Sequence, residues 1–313
     1  MNTKSLTSVT AAIMFGVVAT PLYAEKVDIS GFVDMQHNLV DGTVNAPATS
    51  PAEQRFTADA ELDFKAHINN KAYAKIDVDL NMGAAAIAEQ AYIHIKPNAT
   101  LNIKAGLFNN ILSWEAEDSR NLFQITHGQI WEIFDDQTEN YGNNFTGMTV
   151  SVRSSNITFM GGLLNDLDGV NEEISLLGLV RLDLSNDLTA QVGLVTQDQN
   201  AESLVDFNLT FKQNKMTLAG ELLLAGEIFD MGLGIVGNFQ VTPELDVTAR
   251  YDNVSYDFPN ADDTSSLSIA GGYKFMPNLT AKLELRINDN SNPGNFGLVN
   301  DGEQVWLQLL ASF

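Results

Sequence analysis

The sequence predicts an all-β fold: a transmembrane antiparallel up-and-down β-barrel of about 16 strands, with one long third external loop folded into the lumen. Three observations predict it. The last eleven residues, Glu303 to Phe313, put Val305, Leu307, Leu309, Ala311 and Phe313 on one side of a strand, the period-two apolar face that a lipid-facing barrel strand requires. The first 24 residues read as an export signal. Between the two ends, short turn signals recur at roughly 30-residue intervals, each flanked by runs of alternating polarity.

At the N-terminus, Lys4 precedes an apolar stretch from Ala11 to Val18, and Leu22-Tyr23-Ala24 offers a cleavage point. That stretch is too short to span a bilayer, and no later segment supplies about 18 to 20 uninterrupted apolar residues. An exported chain without a transmembrane helix is periplasmic, secreted or a barrel, and only a barrel explains the ending. The expected organisation is therefore a signal at 1–24 and one barrel domain at 25–313, with no Pro-rich, Ser-rich or charge-block linker inside it.

Composition is compatible with this. Mean hydropathy is −0.05, as expected when each strand is apolar on one face only. There are no cysteines, which removes disulfides, zinc thiolates and thiol nucleophiles. Cleavage after Ala24 takes away Lys4 and no acid, leaving 16 basic against 40 acidic residues, a formal charge of −24. Such a surface repels nucleic acid and favours cations, either in passage or bridging the chain to anionic lipid head groups.

The strands follow in order. Val27 to His37 opens the series. Phe56, Ala58, Ala60, Leu62, Phe64, Ala66 and Ile68 share a face before the turn at Asn69-Asn70, and Ala72, Ala74, Ile76, Val78 and Leu80 share one after it. Further turns are expected at Pro97-Asn98, Ser154-Ser155-Asn156, Ser185-Asn186-Asp187, Gln213-Asn214, Thr242-Pro243 and Pro277-Asn278. Seven tight hairpins supply 14 strands, and the opening and closing strands bring the number to 16. An even number returns both ends to one side, with the tight turns facing the periplasm. Two stretches blur the alternation, Gly83 to Ile95 and Ile174 to Leu182, so the count holds to within two strands. A solenoid or propeller shares this rhythm, but no side-chain motif repeats from unit to unit.

One connection departs from the rest. Asn109 to Gly142 runs about 34 residues and holds Ile111, Leu112, Trp114, Leu122, Phe123, Ile125, Ile130, Trp131, Ile133 and Phe134. A segment so apolar must pack, and the wide lumen of a 16-strand barrel offers a wall. It carries Glu115, Glu117, Asp118, Glu132, Asp135, Asp136 and Glu139 against Arg120 alone. Facing it, inward strand positions should present Arg153, Arg181, Arg250, Lys274, Lys282 and Arg286. Acid opposite base across a constriction sets a transverse field and a selectivity. The alternative is an outward lid or dimer latch. Arg55, Asp59, Glu61, Asp63, Lys65 and His67 on one face of the second strand, with Tyr73, Lys75, Asp77 and Asp79 on the third, call for water inside.

Catalytic and metal signatures are weak. His37, His67, His94 and His127 lack metal-ligand spacing, and no nucleophile elbow, P-loop or dinucleotide fingerprint occurs. No cofactor is expected. Ser113 with His127 is the one pair that an outer-membrane lipase or protease could use. An adhesin or receptor barrel is the other alternative, although most external connections are short.

Some segments carry a resemblance. Val305, Leu307, Leu309 and Phe313 look like the terminal strand by which the barrel-assembly machinery recognises Gram-negative outer-membrane barrels. Ala91 to Phe108 (AYIHIKPNATLNIKAGLF), ahead of a long loop, resembles a recurrent stretch of Gram-negative porins, and Asp28 to Asp34 (DISGFVD) is similar to their first strand. The resemblance implies an outer-membrane, non-enzymatic, water-filled channel for passive diffusion of ions and small hydrophilic solutes, leaning to cations, and by analogy a homotrimer. The chain departs from that pattern in having few tryptophans and two turn prolines in its second half, so an aromatic girdle is hard to draw.

Overall fold

The computed structural model describes residues 26–41, 55–80, 86–137, 143–167, 174–196, 203–225, 229–257, 261–290 and 301–313. The export signal at 1–24 and Glu139 lie outside them. Alternating polarity produces sixteen strands. They are β1 (Lys26–Asp41), β2 (Arg55–Asn69), β3 (Ala72–Asp79), β4 (Ile87–Ile95), β5 (Leu101–Asn109), β6 (Asn144–Ser154), β7 (Ile157–Asn165) and β8 (Ile174–Asp183), then β9 (Leu188–Val195), β10 (Leu204–Gln213), β11 (Met216–Leu224), β12 (Phe229–Gln240), β13 (Leu245–Tyr256), β14 (Thr264–Met276), β15 (Leu279–Asp289) and β16 (Gly302–Ser312). Each pairs antiparallel with its neighbour in sequence, and β1 closes on β16.

All seven expected tight turns join the even strands to the odd ones that follow. At two of them, Ser155 (φ 54°) and Asn214 (φ 52°) adopt the left-handed conformation, which Asn tolerates through its short polar side chain. The opening strand is longer than expected at both ends. The blurred alternation of Gly83 to Ile95 has a physical cause within β4: the register against β3 shifts between Asp77–Gln90 and Val78–Ala88, which breaks strict alternation.

The outer face is the exposed one. Leu267, Ile269, Leu283, Leu285, Ile287, Leu307 and Leu309 all lie on it, where lipid rather than water is the compatible solvent. Phe159, Phe239, Tyr273, Phe275 and Phe313, all within four residues of a tight turn or the C-terminus, are about half exposed. They form the aromatic band that the sequence did not make plain. In β8 both faces are apolar: Ile174 and Leu176 are exposed while Leu177 and Leu179 are buried. The buried pair joins a cluster with Leu112, Ile133 and Phe134 of the long connection, so the continuous run reflects one face exposed on the outside of the barrel and the other packed on apolar residues of that connection.

The seam is built by β1 and β16, in register from Phe32–Ser312 to Asp41–Glu303. Gly31 and Phe313 exchange both backbone hydrogen bonds at 3.1 Å, and Gln308 Nε2 donates to Asp34 Oδ2 across the seam at 2.7 Å. A Cβ at position 31 would fall 2.2 Å from the Glu61 carbonyl oxygen and 2.9 Å from the Phe313 ring. Gly31→Val should therefore cost on the order of 3 kcal/mol or more by overpacking the seam. The expected result is loss of the compact, heat-modifiable band on SDS gels; retention of that band at wild-type level would refute this account of the closure.

Candidate functional site

The connection between β5 and β6 is held at its base where the Asn110 amide donates to the Asn143 carbonyl at 2.9 Å. Asn110 Oδ1 then accepts the Leu112 amide at 2.8 Å, a local turn of the kind asparagine favours. Further on, α1 (Gln129–Gln137) buries Ile130, Ile133 and Phe134. Their i, i+3, i+4 spacing gives the helix one apolar stripe. That stripe packs into a cluster with Phe145, Leu204, Leu223, Phe229 and Val254 from the strands.

Three groups of polar contacts fix the rest. First, the Leu112 carbonyl accepts from Gln191 of β9 and Asn208 of β10, both at 3.0 Å, and the Trp114 amide donates to Glu221 of β11 at 2.9 Å. Second, Glu284 of β15, fully buried, accepts the Ile125 and Thr126 amides at 2.7 and 2.9 Å and the Thr126 hydroxyl at 2.7 Å. Around it, Arg250 donates to the carbonyls of Thr126 and His127, both at 2.7 Å, and to Glu115 at 3.1 Å. Lys282 donates to Leu122 and Gln124 carbonyls at 2.8 and 3.0 Å, and Arg286 to the His127 carbonyl at 3.2 Å. Third, Arg120 reaches β2, where it pairs with Asp63 at 2.6 Å and Glu61 at 3.4 Å, while also holding Asp118 at 3.1 Å.

The expected site residues therefore divide. Arg250, Lys282 and Arg286 meet the connection. Arg153 and Arg181 instead lie beside Asp183, at 2.7 and 3.6 Å, and Lys274 is exposed; all three sit within three residues of a tight turn, and among the described residues none of them bonds to the connection. Among the acids, Glu115 pairs with Arg250 at 3.1 Å, Glu117 accepts the Trp131 indole N–H at 2.8 Å and Asp135 accepts the Asn143 amide at 2.9 Å. The Asp136 side chain lies outside the described residues. Sequence reasoning missed Glu221 and Glu284 as anchors, and it missed the acids that face Arg120. Glu61, Asp63, Asp77 and Glu89 are all buried on the polar faces of β2 to β4. Alternation places the first three on those faces, but their nearness to Arg120 is a long-range fact without a local signal.

Burial shifts the ionisation of the connection. It pushes the Glu115 carboxyl up to about 7 although Arg250 opposes the rise, and Glu132 also to about 7. Glu117 goes up to about 8, by burial and then by the nearby Glu89 charge. His127, stacked on Trp131 at 3.7 Å, is pushed down to about 3 by burial and by Arg250, Arg286 and Lys282. A histidine so weakly basic is poorly suited to general-base work at neutral pH. The Ser113 hydroxyl accepts the Glu115 amide at 3.2 Å, and among the described residues no hydrogen bond joins Ser113 to His127.

The sequence matches the Gram-negative porin family over residues 8–293. The chain belongs to the Gram-negative porin family. No curated protein matches it in sequence. Among solved structures it is similar to Salmonella typhi OmpF in complex with daunomycin, with TM-score 0.75, 14% identity, and coverage of 93% of this chain and 98% of that one. It is also similar to an anion-selective porin from Comamonas acidovorans (TM-score 0.70, 13% identity, 92% and 99% covered). The outer-membrane channel DcaP of Acinetobacter baumannii is a third (TM-score 0.68, 12% identity, 92% and 97% covered). This porin is an outer-membrane channel for passive diffusion, and its family and fold indicate a channel rather than an enzyme.

Glu284 should be the anchor whose loss is felt most. Glu284→Ala removes the acceptor for two amides and a hydroxyl, a loss on the order of 2 to 3 kcal/mol for hydrogen bonds to a charged group. Hydrogen exchange at Ile125 and Thr126 is expected to speed up roughly a hundredfold. Unchanged protection at those two amides would show that the segment is held by its apolar cluster alone.

Proposed function

We propose that the segment between β5 and β6 lies inside the barrel and narrows a water-filled passage that favours cations. The observation that carries this reading is the spread of its partners. Arg120 bonds to β2, Leu112 and Trp114 to β9 through β11, and residues 122 to 127 to β13 through β15. These are separate arcs of one closed ring. Their polar side chains stand on the face opposite the exposed apolar one, and a segment lying outside cannot reach all three arcs.

The sign of selectivity follows from the charges left over. On one side Arg250, Lys282 and Arg286 are matched by Glu115, Asp252 and Glu284, with Arg250 2.9 Å from Asp252 and the carbonyls of the segment absorbing further donors. On the other, Glu61, Asp63, Asp77, Glu89 and Asp118 share Arg120 and Lys75. The excess is negative, and a row of uncompensated carboxylates attracts cations. The fold does not fix this sign, since the similar Comamonas protein is described as anion-selective. Export through residues 1–24, insertion read from Val305, Leu307, Leu309 and Phe313, assembly as a homotrimer and contact with lipopolysaccharide belong to the same proposal.

Reversal potentials in a potassium chloride gradient across a planar bilayer test it. Arg120→Gln leaves the five acids with Lys75 alone and is expected to raise potassium-over-chloride permeability by roughly twofold or more; a fall in that ratio would sink the cation reading. Acidity gives a second test. Glu115, Glu117 and Glu132 have raised values, so they are neutral at low pH and gain charge as pH passes about 7 to about 8. Cation preference should therefore grow between mildly acidic and mildly alkaline solution. A preference that is flat across that window would mean these three groups do not border the passage.

A further inference from the structure

Charge is separated along the barrel axis as well as across it. Of the 16 basic residues after Ala24, twelve lie in the tight turns, within five residues of them, or at the start of β1. Only six of the 40 acids lie there: Glu25, which adjoins Lys26 in sequence, and Asp28, Asp183, Asp187, Glu244 and Asp246. The tight-turn end is thus net positive, although the chain as a whole is strongly negative.

The basic residues reach the enclosed face. Lys75 bonds to Asp63 and Asp77 at 3.3 and 2.5 Å, at the border between the two charge zones. Nearer the turns, the Lys65 ammonium lies 4.3 Å from the Tyr73 ring centre and Lys104 lies 4.8 Å from that of Tyr92. Arg181, Lys212 and Trp114 line a cavity of about 500 Å³ between the β5–β6 segment and β7 through β10. Lys65, Lys104 and Lys212 have no acidic partner among the described residues. Above them, toward the long connections, Asp34, Glu61, Glu89, Asp206, Asp252 and Glu284 occupy the same polar faces.

We propose that this porin is an axially polarised channel whose acidic half and basic half, in series, make its conductance rectify. The proposal rests on the reading of the chain as a conducting channel and adds a direction to it. An acidic half holds mainly cations and a basic half mainly anions. When the long-connection side is positive, the field drives cations into the acidic half and anions into the basic half, so both accumulate where the halves meet and conductance rises. The opposite polarity draws both outward, depletes that junction and lowers conductance. No moving part is required.

Single-channel recording of the full chain in a planar bilayer tests this. The chain has no cysteine, so Asn278→Cys in a tight turn, modified by a membrane-impermeant maleimide from one compartment, reports orientation. In about 0.1 M potassium chloride, current with the long-connection side positive should exceed the reverse current by about twofold; in about 1 M salt, where the Debye length shrinks from about 10 to about 3 Å, the ratio should fall toward one. A triple variant Lys65→Gln, Lys104→Gln and Lys212→Gln, none of them an anchor of the β5–β6 segment, should conduct with the ratio near one even in dilute salt. A conducting wild type with a symmetric trace in dilute salt, or with the larger current at the opposite polarity, overturns the proposal. So does a ratio that the triple variant leaves unchanged. Protein that inserts and never conducts overturns the channel reading beneath it, so the two failures are distinguishable.

Discussion

In hydrocarbon no water is available to an unpaired backbone amide, so every strand needs a neighbour on both sides and the ring must close. The closure of β1 on β16 is the interaction on which the other fifteen pairings depend. Its demands reach far into the sequence. Residue 31 must lack a Cβ because the Glu61 carbonyl and the Phe313 ring occupy that space. The inner side of the seam is polar, with Gln308 bonded to Asp34, while Leu307 and Leu309 face outward. Period-two alternation is what allows both requirements to be met by one strand.

Once the ring is closed, its interior poses a second problem. Arg250, Lys282 and Arg286 are each less than a tenth exposed, and cations so placed lose hydration that only nearby acids or carbonyls can replace. The β5–β6 segment supplies those carbonyls, from Leu122, Gln124, Thr126 and His127. Its irregular backbone is thus an asset, because carbonyls committed to a helix or ladder could not turn toward the wall. The wall in return supplies Glu284 and Glu221 for amides that the irregular segment leaves unpaired. Each side satisfies what the other leaves open, which explains how a segment with so little regular structure can be so extensively bonded.

Much of the fold was legible because its determinants are local. The seven tight turns, the strand number and the outward faces all follow from alternation and turn residues read within a dozen positions. Where alternation misled, a neighbour was responsible: Leu177 and Leu179 look like part of an uninterrupted apolar run because they pack in one cluster with Leu112, Ile133 and Phe134 of the long connection. The site was legible only in part. Arg250, Lys282 and Arg286 could be placed on inward faces by parity, yet parity could not separate them from Arg153, Arg181 and Lys274, because height along the axis decides which residues the connection reaches. The acids facing Arg120 were visible as a polar face on β2 and β3. That a single arginine from the connection would land on them depends on how that connection folds, and no local pattern encodes it.

The same reasoning explains why the architecture persists at 14% identity to Salmonella typhi OmpF while ionic character need not. Closure and lipid contact constrain the outer face to be apolar and the inner face to be wet, but almost any apolar or polar residue meets those terms. Inner charges are therefore free to change sign so long as each buried one finds a partner. In this chain the partners of the basic wall are spent on the β5–β6 segment, whereas the acids of β2 to β4 outnumber Arg120 and Lys75. The proposed preference for cations rests on that difference, a polar face balanced on one side and acidic on the other. Selectivity thus has to be read from the pairing of individual side chains, and not from the barrel that holds them.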